Sequence, residues 1–318
     1  MFEDVINSIN FSDSFEGEEA DFSGLKCKIF PFSKLNFNEI KNTSKGTMAF
    51  VDGGNSELLK APNFSLQLCR VAYCLFENGE RKKQERKEFF VFVNVVNGKF
   101  IVKTFGDGLS ANLNTTFDLN DEHFKIGKSQ GTPSSVVLAI RRFAELDLAS
   151  NIDADVIVLD GSLQQSYSFE NDFMKKLKDK TLVGFCKTSS LLTKKGNSVI
   201  ALMNMQKGKF AYRPVAELFD DTYSANICFA RLHENSKYVF KLDFNKEING
   251  DVLALLAENS KDPVFLGYPY GLVLVDRFAR VSNEEANYVS TKLISKIKNE
   301  ELLRYLNALN AHDVLDKI

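Results

Sequence analysis

Apolar and polar positions divide the chain into a strand-rich first part and a mainly helical last third. Residues 1–45 are polar with weak periodicity, so we predict a peripheral N-terminal extension there and a single domain over residues 46–318. Regular structure is expected to begin at Met48. The buried run Met48–Asp52 ends in an acidic residue and two glycines, which is typical of a strand that enters a turn. Asp52 is therefore predicted at the carboxyl end of a strand.

The next two β-rich runs predict a long hairpin. Ser65–Phe76 and Glu88–Val96 are separated by Asn78-Gly79 and by the charged stretch Glu80–Lys87, which we expect to form the connecting loop. With the first strand, they give three antiparallel strands in succession.

A helix and a second acid-ended strand follow the hairpin. Ser134 or Ser135 is expected to cap a helix that runs to about Ala149. The run Ala154–Asp160 is buried and ends in Asp-Gly, so it repeats the pattern of the first strand. Shorter patterns predict strands at Thr181–Phe185, Ser198–Met203, Asn226–Arg231 and Tyr238–Phe244, and helices around Phe169–Leu177 and over most of Asp251–Lys317.

A three-strand meander, a crossover helix and a parallel strand form the order of an RNase H-like core. We therefore predict an α/β fold with a mixed sheet and flanking helices, elaborated by extra strands and a helical C-terminal region. In this order Asp52 and Asp160 lie side by side at one sheet edge. Two carboxylates about 4 Å apart repel by roughly 4 kcal/mol at an effective dielectric near 20. A pair of magnesium or manganese ions would offset that repulsion and could support phosphodiester cleavage. The alternative is that both aspartates cap turns, as Asp-Gly usually does after a strand.

Composition limits the other possibilities. Forty Lys and Arg against 42 Asp and Glu give a net charge of −2, so a global positive field does not attract nucleic acid, and DNA contact needs a local patch. The five cysteines include no CxxC pair, which favours a reduced, cytoplasmic environment. A bilayer span needs about 18 to 20 apolar residues in a row, and the sequence has no such run, so we expect no membrane association.

Four short motifs, in order, resemble those of the NurA nuclease family: Phe50–Asn55, Leu159–Leu163, Gly184–Ser189, and Gly267–Leu272 with Asp276-Arg277. The resemblance spans residues 45–318 and includes a closing Ala311–Leu315 signature. It implies an RNase H-like nuclease that cuts DNA with manganese or magnesium as a single-strand endonuclease and 5′–3′ exonuclease. It also implies a homodimer that acts in DNA end resection and repair beside a hexameric HerA-type ATPase.

The resemblance also implies roles for four acidic residues. Asp52 and Asp160 match the metal ligands of the first and second motifs. Glu145 matches a further catalytic and metal-binding acid on the helix before the second strand, although Arg141 and Arg142 also make it a candidate for intrahelical salt bridges. Asp276 stands where some family members have a histidine and is the candidate last metal ligand. In the same motif Gly271 replaces a proline that the family often has.

Basic and aromatic residues complete the candidate site. Lys187 follows a buried strand, where its ammonium could neutralise the scissile phosphate and contact DNA, or could simply be solvated. Tyr268, Tyr270 and Arg277 are candidate DNA contacts, and Tyr212 is a further tyrosine that could stack on unpaired bases. Core or loop packing is the alternative for each tyrosine.

Three other functions fit parts of the pattern. The chain could be a non-catalytic DNA-end-binding subunit of the same fold, a nuclease of another RNase H-like family such as an Argonaute-type slicer, or an actin-like ATPase. Because Asp52 and Asp160 are retained, we favour catalysis over the first alternative.

The C-terminal region contains apolar residues at near-helical spacing: Leu293, Ile297, Leu302, Leu306 and Leu309. This spacing indicates an apolar helix face for self-association, for docking or for packing on the chain's own core.

Overall fold

A computed structural model describes residues 2–7, 15–42, 45–106, 113–125, 127, 129–167 and 169–309. The closing Ala311–Leu315 motif lies outside them. The strands are β1 (Cys27–Ile29), β2 (Phe37–Asn38), β3 (Thr47–Ala61), β4 (Phe64–Glu77), β5 (Glu80–Val96), β6 (Lys99–Phe105), β7 (Thr116–Asp118), β8 (Val156–Asp160), β9 (Leu182–Cys186), β10 (Phe210–Asp220), β11 (Tyr223–Arg231) and β12 (Phe240–Phe244). The helices are α1 (Phe2–Asn7), α2 (Pro133–Ser150), α3 (Glu170–Lys176), α4 (Val199–Asn204), α5 (Gly250–Glu258), α6 (Tyr270–Ala279), α7 (Asn283–Ile294) and α8 (Glu300–Leu309).

All twelve strands belong to one sheet, in the order β1-β10-β11-β12-β9-β8-β3-β4-β5-β6-β7, with β2 also paired to β10. The central strand β8 runs parallel to both β3 and β9, and the other pairs are antiparallel. Helix α2 provides the crossover between β3 and β8. The predicted mixed sheet with flanking helices is therefore present.

The two faces of the sheet are buried against different helices. Along β3, Ala49 and Val51 join a hydrophobic cluster that includes Ile140 of α2. Phe50, between them, joins a second cluster that includes Leu272 of α6. Because side chains alternate along a strand, Asp52 lies on the Phe50 side of the sheet.

The hairpin is longer than predicted. Asn78 and Gly79 form a two-residue turn with φ values of 50° and 85°, the left-handed conformations that a tight hairpin requires. The charged stretch Glu80–Lys87, expected to be a loop, instead forms the first half of β5 and pairs with β4. The tight turn aligns residues 80–87 with β4. Pairing them does not require charge to be buried, because most of their side chains are exposed.

Two other local predictions were wrong. Ser198–Met203, expected as a strand, forms helix α4, because the Ser198 hydroxyl accepts from Ala201 N at 3.4 Å and caps it. Helix α2 is capped by Thr132 rather than by Ser134 or Ser135. The Thr132 hydroxyl accepts from Ser135 N, and the Ser135 hydroxyl accepts from Thr132 N.

Regular structure begins before Met48, contrary to expectation, since β1 and β2 extend the sheet through β10. Phe15, Phe32 and Phe37 pack their rings around Tyr212. Aromatic burial thus organises this segment although its periodicity is weak. Within the residues described, no helix is both long and apolar enough to cross a membrane.

Candidate functional site

Strand register brings Asp52 and Asp160 together. In the parallel pair β3–β8, Phe50 lies opposite Val158 and Val51 opposite Leu159. The next position places Asp52 beside Asp160, on neighbouring strands about 4.8 Å apart. Asp160 ends β8, but Asp52 does not end its strand as predicted. Gly53 and Gly54 stay paired with β4 instead of forming a turn, and β3 continues to Ala61. Both carboxylate side chains are partly exposed. The arrangement puts two carboxylates where a cation or a substrate can reach them.

The Asp52 carboxylate is electrostatically strained. Its Oδ1 accepts one hydrogen bond from Gly53 N at 2.7 Å. Burial nevertheless raises the pKa of Asp52 to about 7, and the charges of Glu145 and Asp160 add to the increase. Without a bound cation, this carboxyl group is therefore partly protonated at neutral pH.

Glu145 joins the pair from the other side, on helix α2. Its side chain is buried and lies 3.4 Å from Arg141 Nε and 3.4 Å from Arg142 Nη1. The intrahelical salt bridges considered from the sequence are thus present. Glu145 is also close enough to Asp52 to raise that residue's pKa, so the salt bridges coexist with a place beside the aspartates.

Gly53 allows Glu145 to approach the strand. A Cβ atom at this position would lie only 3.0 Å from Glu145 Cγ and 3.1 Å from Arg141 Cγ, and closer still to Glu145 Oε1. Only glycine fits between β3 and this turn of α2.

Gly53→Ala is accordingly expected to displace Glu145 and to lower the free energy of unfolding by about 1 to 3 kcal/mol. Urea denaturation measures this change. Gly250→Ala is the matched control, because a Cβ atom there has nothing within 4 Å. Equal stability of the Gly53→Ala protein and the wild type would show that Glu145 is not confined as described.

Lys187 lies directly on the aspartate pair. Its Nζ donates to Asp160 Oδ2 at 2.6 Å, and its side chain is 44% exposed. Burial opposes the charge of Lys187, but the hydrogen bond to Asp160 and the charges of Asp160 and Asp52 together raise its pKa. The ammonium stays protonated and reaches solvent, so it can contact an approaching anion.

Tyr268 contributes a hydroxyl group rather than a free ring. Its ring packs edge-on against Phe185 and Phe240, with centroid distances of 5.4 and 5.6 Å. Its buried Oη has no hydrogen-bond partner among the residues that the structure describes. Burial, with the charges of Asp160 and Asp52, raises the pKa of Tyr268, so the phenol remains a hydrogen-bond donor.

The remaining predicted residues lie around this centre. Asp276, on α6, is exposed and close enough to influence the pKa values of Lys187 and Tyr268. Arg277 is also exposed, with its guanidinium 5.9 Å from the centre of the Phe265 ring. Tyr270 is partly buried against the hydrophobic cluster of α6.

Tyr212, by contrast, is buried in the core far along the sheet. Its Oη accepts from Ser33 N at 2.9 Å, so it is a packing residue and cannot stack on a base.

Sequence reasoning missed the full role of Arg142. Its Nε donates to Glu170 Oε1 at 3.0 Å, and its Nη2 donates to the Ser162 carbonyl at 3.4 Å. It therefore links Glu145 to the turn that follows Asp160. The spacing of Arg142 and Glu145 indicated one of these contacts, but nothing in the sequence indicated Glu170.

The donor atoms suit a hard divalent cation. As they stand in the described residues, no three or more His, Cys, Asp or Glu side chains are arranged to hold a metal ion. Asp160 instead pairs with Lys187, and Glu145 with two arginines. Carboxylate oxygens are preferred ligands of magnesium and manganese, and the raised pKa of Asp52 marks a repulsion that a cation would relieve. The residues present therefore fit such an ion.

Known proteins resemble this chain in family and fold. The NurA domain model matches residues 46–281. The NurA nuclease from Sulfolobus solfataricus has a similar structure, with a TM-score of 0.50 and 14% identity over 82% of this chain and 88% of that one. The catalytic domain of human Endonuclease V matches with a TM-score of 0.37 and 12% identity over 74% of this chain and 81% of that one. A comparison with curated protein sequences finds no match. The fold is RNase H-like, as predicted, and the chain belongs to the NurA family.

Proposed function

We propose that this protein is a divalent-metal-dependent deoxyribonuclease, with single-strand endonuclease and 5′–3′ exonuclease activity in DNA end resection and repair. The observation that carries the proposal is the pairing of Asp52 and Asp160 at an accessible sheet edge, where the pKa of Asp52 is raised to about 7. Two carboxylates this close repel each other and raise the free energy of the folded protein unless a bound cation offsets their charge. Membership of a nuclease family and the likeness to a NurA nuclease structure support the same conclusion.

Each residue of the site has a distinct proposed role. Asp52, Asp160 and Glu145 hold the metal, and Asp276 is the candidate last ligand. Manganese or magnesium, as one ion or a pair, would polarise the scissile phosphate and lower the pKa of the attacking water. Lys187 neutralises charge that develops on the phosphate oxygens. The Tyr268 hydroxyl, whose partner is missing within the described part of the chain, donates to a phosphate or water oxygen.

End-labelled DNA provides the direct test. Single-stranded and duplex substrates are incubated with manganese, with magnesium or with a chelator, and the products are resolved by length. We expect cleavage with metal only, and shortening from the 5′ end in addition to internal cuts in single strands. Cleavage that persists in chelator would contradict the metal centre.

Lys187→Ala is expected to lower turnover by about 100-fold while changing DNA affinity much less, because the ammonium acts mainly on charge that develops during reaction. Lys187→Arg should rescue only part of the rate, since a planar guanidinium cannot replace a compact ammonium. Single-turnover kinetics and a DNA-binding titration separate the two effects. Lys175→Ala is the control, because Lys175 forms a surface pair with Asp172 at 3.2 Å. A fall in affinity with unchanged turnover would make Lys187 only a DNA anchor.

We further propose that the protein acts in the cytoplasm as a homodimer beside a hexameric HerA-type ATPase. A net charge of −2 provides little non-specific attraction to DNA, so processive resection needs a partner that holds the duplex. The apolar C-terminal face is only partly available for docking. Leu306 is buried within the chain, Leu293 packs against the cluster of Leu58 and Leu68, and Leu302 is 39% exposed.

Co-expression with the host's HerA-like ATPase tests the partnership. We expect co-elution on size exclusion at micromolar concentration and resection that depends on ATP. If the two proteins elute separately and resection is the same with and without the ATPase, the partnership is wrong and the protein acts as a nuclease on its own.

The second candidate is a non-catalytic DNA-end-binding subunit. The pairing of Lys187 with Asp160 favours it, because a salt bridge also satisfies that carboxylate without a metal. DNA binding without cleavage in either metal would support this alternative.

A further inference from the structure

A cavity of about 500 Å³ opens at the same sheet edge as the aspartate pair. Ser162, two residues after Asp160, forms part of its wall, as do Cys186 and Thr188, which flank Lys187 in the chain. Residues 21–23 and Leu25, from the N-terminal segment, also line it. Its volume lies within the range of about 300 to 1,000 Å³ that is usual for small-molecule sites. The cavity is therefore large enough for a ligand, and through Ser162 it reaches the turn that follows Asp160.

Its floor contains a buried charged group that the proposed chemistry does not use. The Lys241 side chain is only 10% exposed and lies 2.8 Å from Asp243 Oδ1, a carboxylate with no exposed surface. Lys241 Nζ also donates to Tyr223 Oη at 2.6 Å, and Tyr223 Oη donates to Asp243 Oδ2 at 2.7 Å. A buried ion pair is rarely worth more than the apolar residues that could replace it. Stability alone therefore gives little reason for these residues.

The hydrogen-bond count leaves one donor for a ligand. An ammonium group has three N–H bonds; Tyr223 accepts one from Lys241, and the ion pair with Asp243 occupies a second side of the ammonium. No third partner is found within the described ranges, while Lys241 lines the cavity. Asp243 also accepts from the Ser162 hydroxyl at 2.6 Å and from Leu163 N at 3.0 Å. The same carboxylate thus fixes both the cavity floor and the turn that follows Asp160.

We propose that this cavity is a subsite for one nucleoside of the DNA strand beside the scissile phosphate, with Lys241 donating to an acceptor on the base or sugar. The inference rests on the proposed nuclease function. Asp243 neutralises Lys241, so a free phosphate would gain little there, whereas a neutral carbonyl or ring acceptor can use the remaining N–H. The hydroxyl groups of Thr188 and Ser189, which also line the cavity, supply further hydrogen-bonding groups.

Lys241 itself is a poor place for a test, because its removal would leave the Asp243 charge buried without a partner. Ser190→Trp fills the cavity from an exposed wall position instead. Asn235→Trp, at an exposed turn elsewhere, controls for the added ring. The substrates are single-stranded oligonucleotides in which one abasic position is moved stepwise past the cleaved bond.

For the wild type and Asn235→Trp, an abasic residue at one fixed distance from the cut is expected to lower kcat/KM about fivefold or more. The reason is that the missing base can neither accept the hydrogen bond nor pack in the cavity. Ser190→Trp should cleave intact DNA more slowly and be indifferent to the abasic residue. Equal sensitivity of Ser190→Trp and the wild type, or no sensitive position, would overturn the subsite.

A second measurement separates this inference from the nuclease proposal. Binding of deoxyadenosine 5′-monophosphate is followed by saturation-transfer NMR in chelator, where no cleavage is required. The signal is expected for the wild type and Asn235→Trp and should be lost in Ser190→Trp. If the wild type binds the nucleotide but never cuts DNA, the nuclease proposal fails alone. If the wild type cuts DNA but gives no signal, the subsite fails alone.

Discussion

Asp52→Asn is expected to lower metal-dependent DNA cleavage by at least about a thousandfold, equivalent to about 4 kcal/mol of transition-state stabilisation. The substitution removes a charged ligand but keeps the shape of the side chain. Asparagine can still accept the hydrogen bond from Gly53 N, so this part of β3 should stay folded. Asp160→Asn should have a similar effect on cleavage. Unchanged cleavage by either variant would contradict the metal centre.

Without metal, Asp52→Asn should be more stable than the wild type at alkaline pH. The pKa of Asp52 is about 7 in the folded protein against a usual value of 3.8, so the folded state holds its proton more tightly than the unfolded state. This stabilisation is fully present below pH 3.8 and is lost as pH rises through 7. The shift corresponds to about 4 kcal/mol, most of which Asp52→Asn should recover at pH 8 in chelator.

Urea denaturation at pH 5 and pH 8 measures this effect. Asp155→Asn is a control of opposite sign, because hydrogen bonds from Thr47 hold the pKa of Asp155 below its usual value. Its loss should therefore weaken the fold at pH 8. If Asp52→Asn has the same pH dependence of stability as the wild type, the pKa of Asp52 is not raised by its surroundings as described.

Arg142→Met is expected to cause the largest loss of stability, about 3 to 5 kcal/mol at pH 8. The side chains of Glu145 and Glu170 are 8% and 1% exposed, and both lose a cationic partner in this variant. Glu145 keeps its contact with Arg141 Nε at 3.4 Å, so the uncompensated buried charge is mainly that of Glu170. Urea denaturation measures the loss.

A double variant separates charge from packing. Adding Glu170→Gln to Arg142→Met removes the buried charge that has lost its partner and should recover part of the lost stability. Arg304→Met is the surface control, because Arg304 and Glu300 are 79% and 81% exposed. No recovery in the double variant would indicate that Arg142 acts through packing alone.

Strand patterns made the main part of the site predictable. Asp52 and Asp160 each close a short apolar run that is followed by glycine, and both runs form neighbouring buried strands. Only the second of these strands ends at its aspartate. Helix α2 between them was also visible from its apolar spacing. The family motifs then indicated Lys187, Tyr268 and Asp276, which the structure places around the same edge.

Other features depended on contacts between distant parts of the chain. The charged first half of β5 has little strand pattern of its own and pairs because the Asn78-Gly79 turn places it against β4. The N-terminal segment joins the sheet through Phe15, Phe32 and Phe37, whose burial around Tyr212 leaves no periodic signal.

The sequence by itself determined that two buried apolar runs, each closed by an aspartate, flank a crossover helix, because that pattern depends on local hydrophobic spacing. It did not determine that β3 continues past Asp52, since pairing with β4 decides that. Only the tertiary structure decided which charges pair across elements. Lys187 on Asp160 and Arg142 on Glu170 connect separate parts of the fold. Ion pairs between separate elements depend on three-dimensional proximity, which the spacing of residues along a chain does not record.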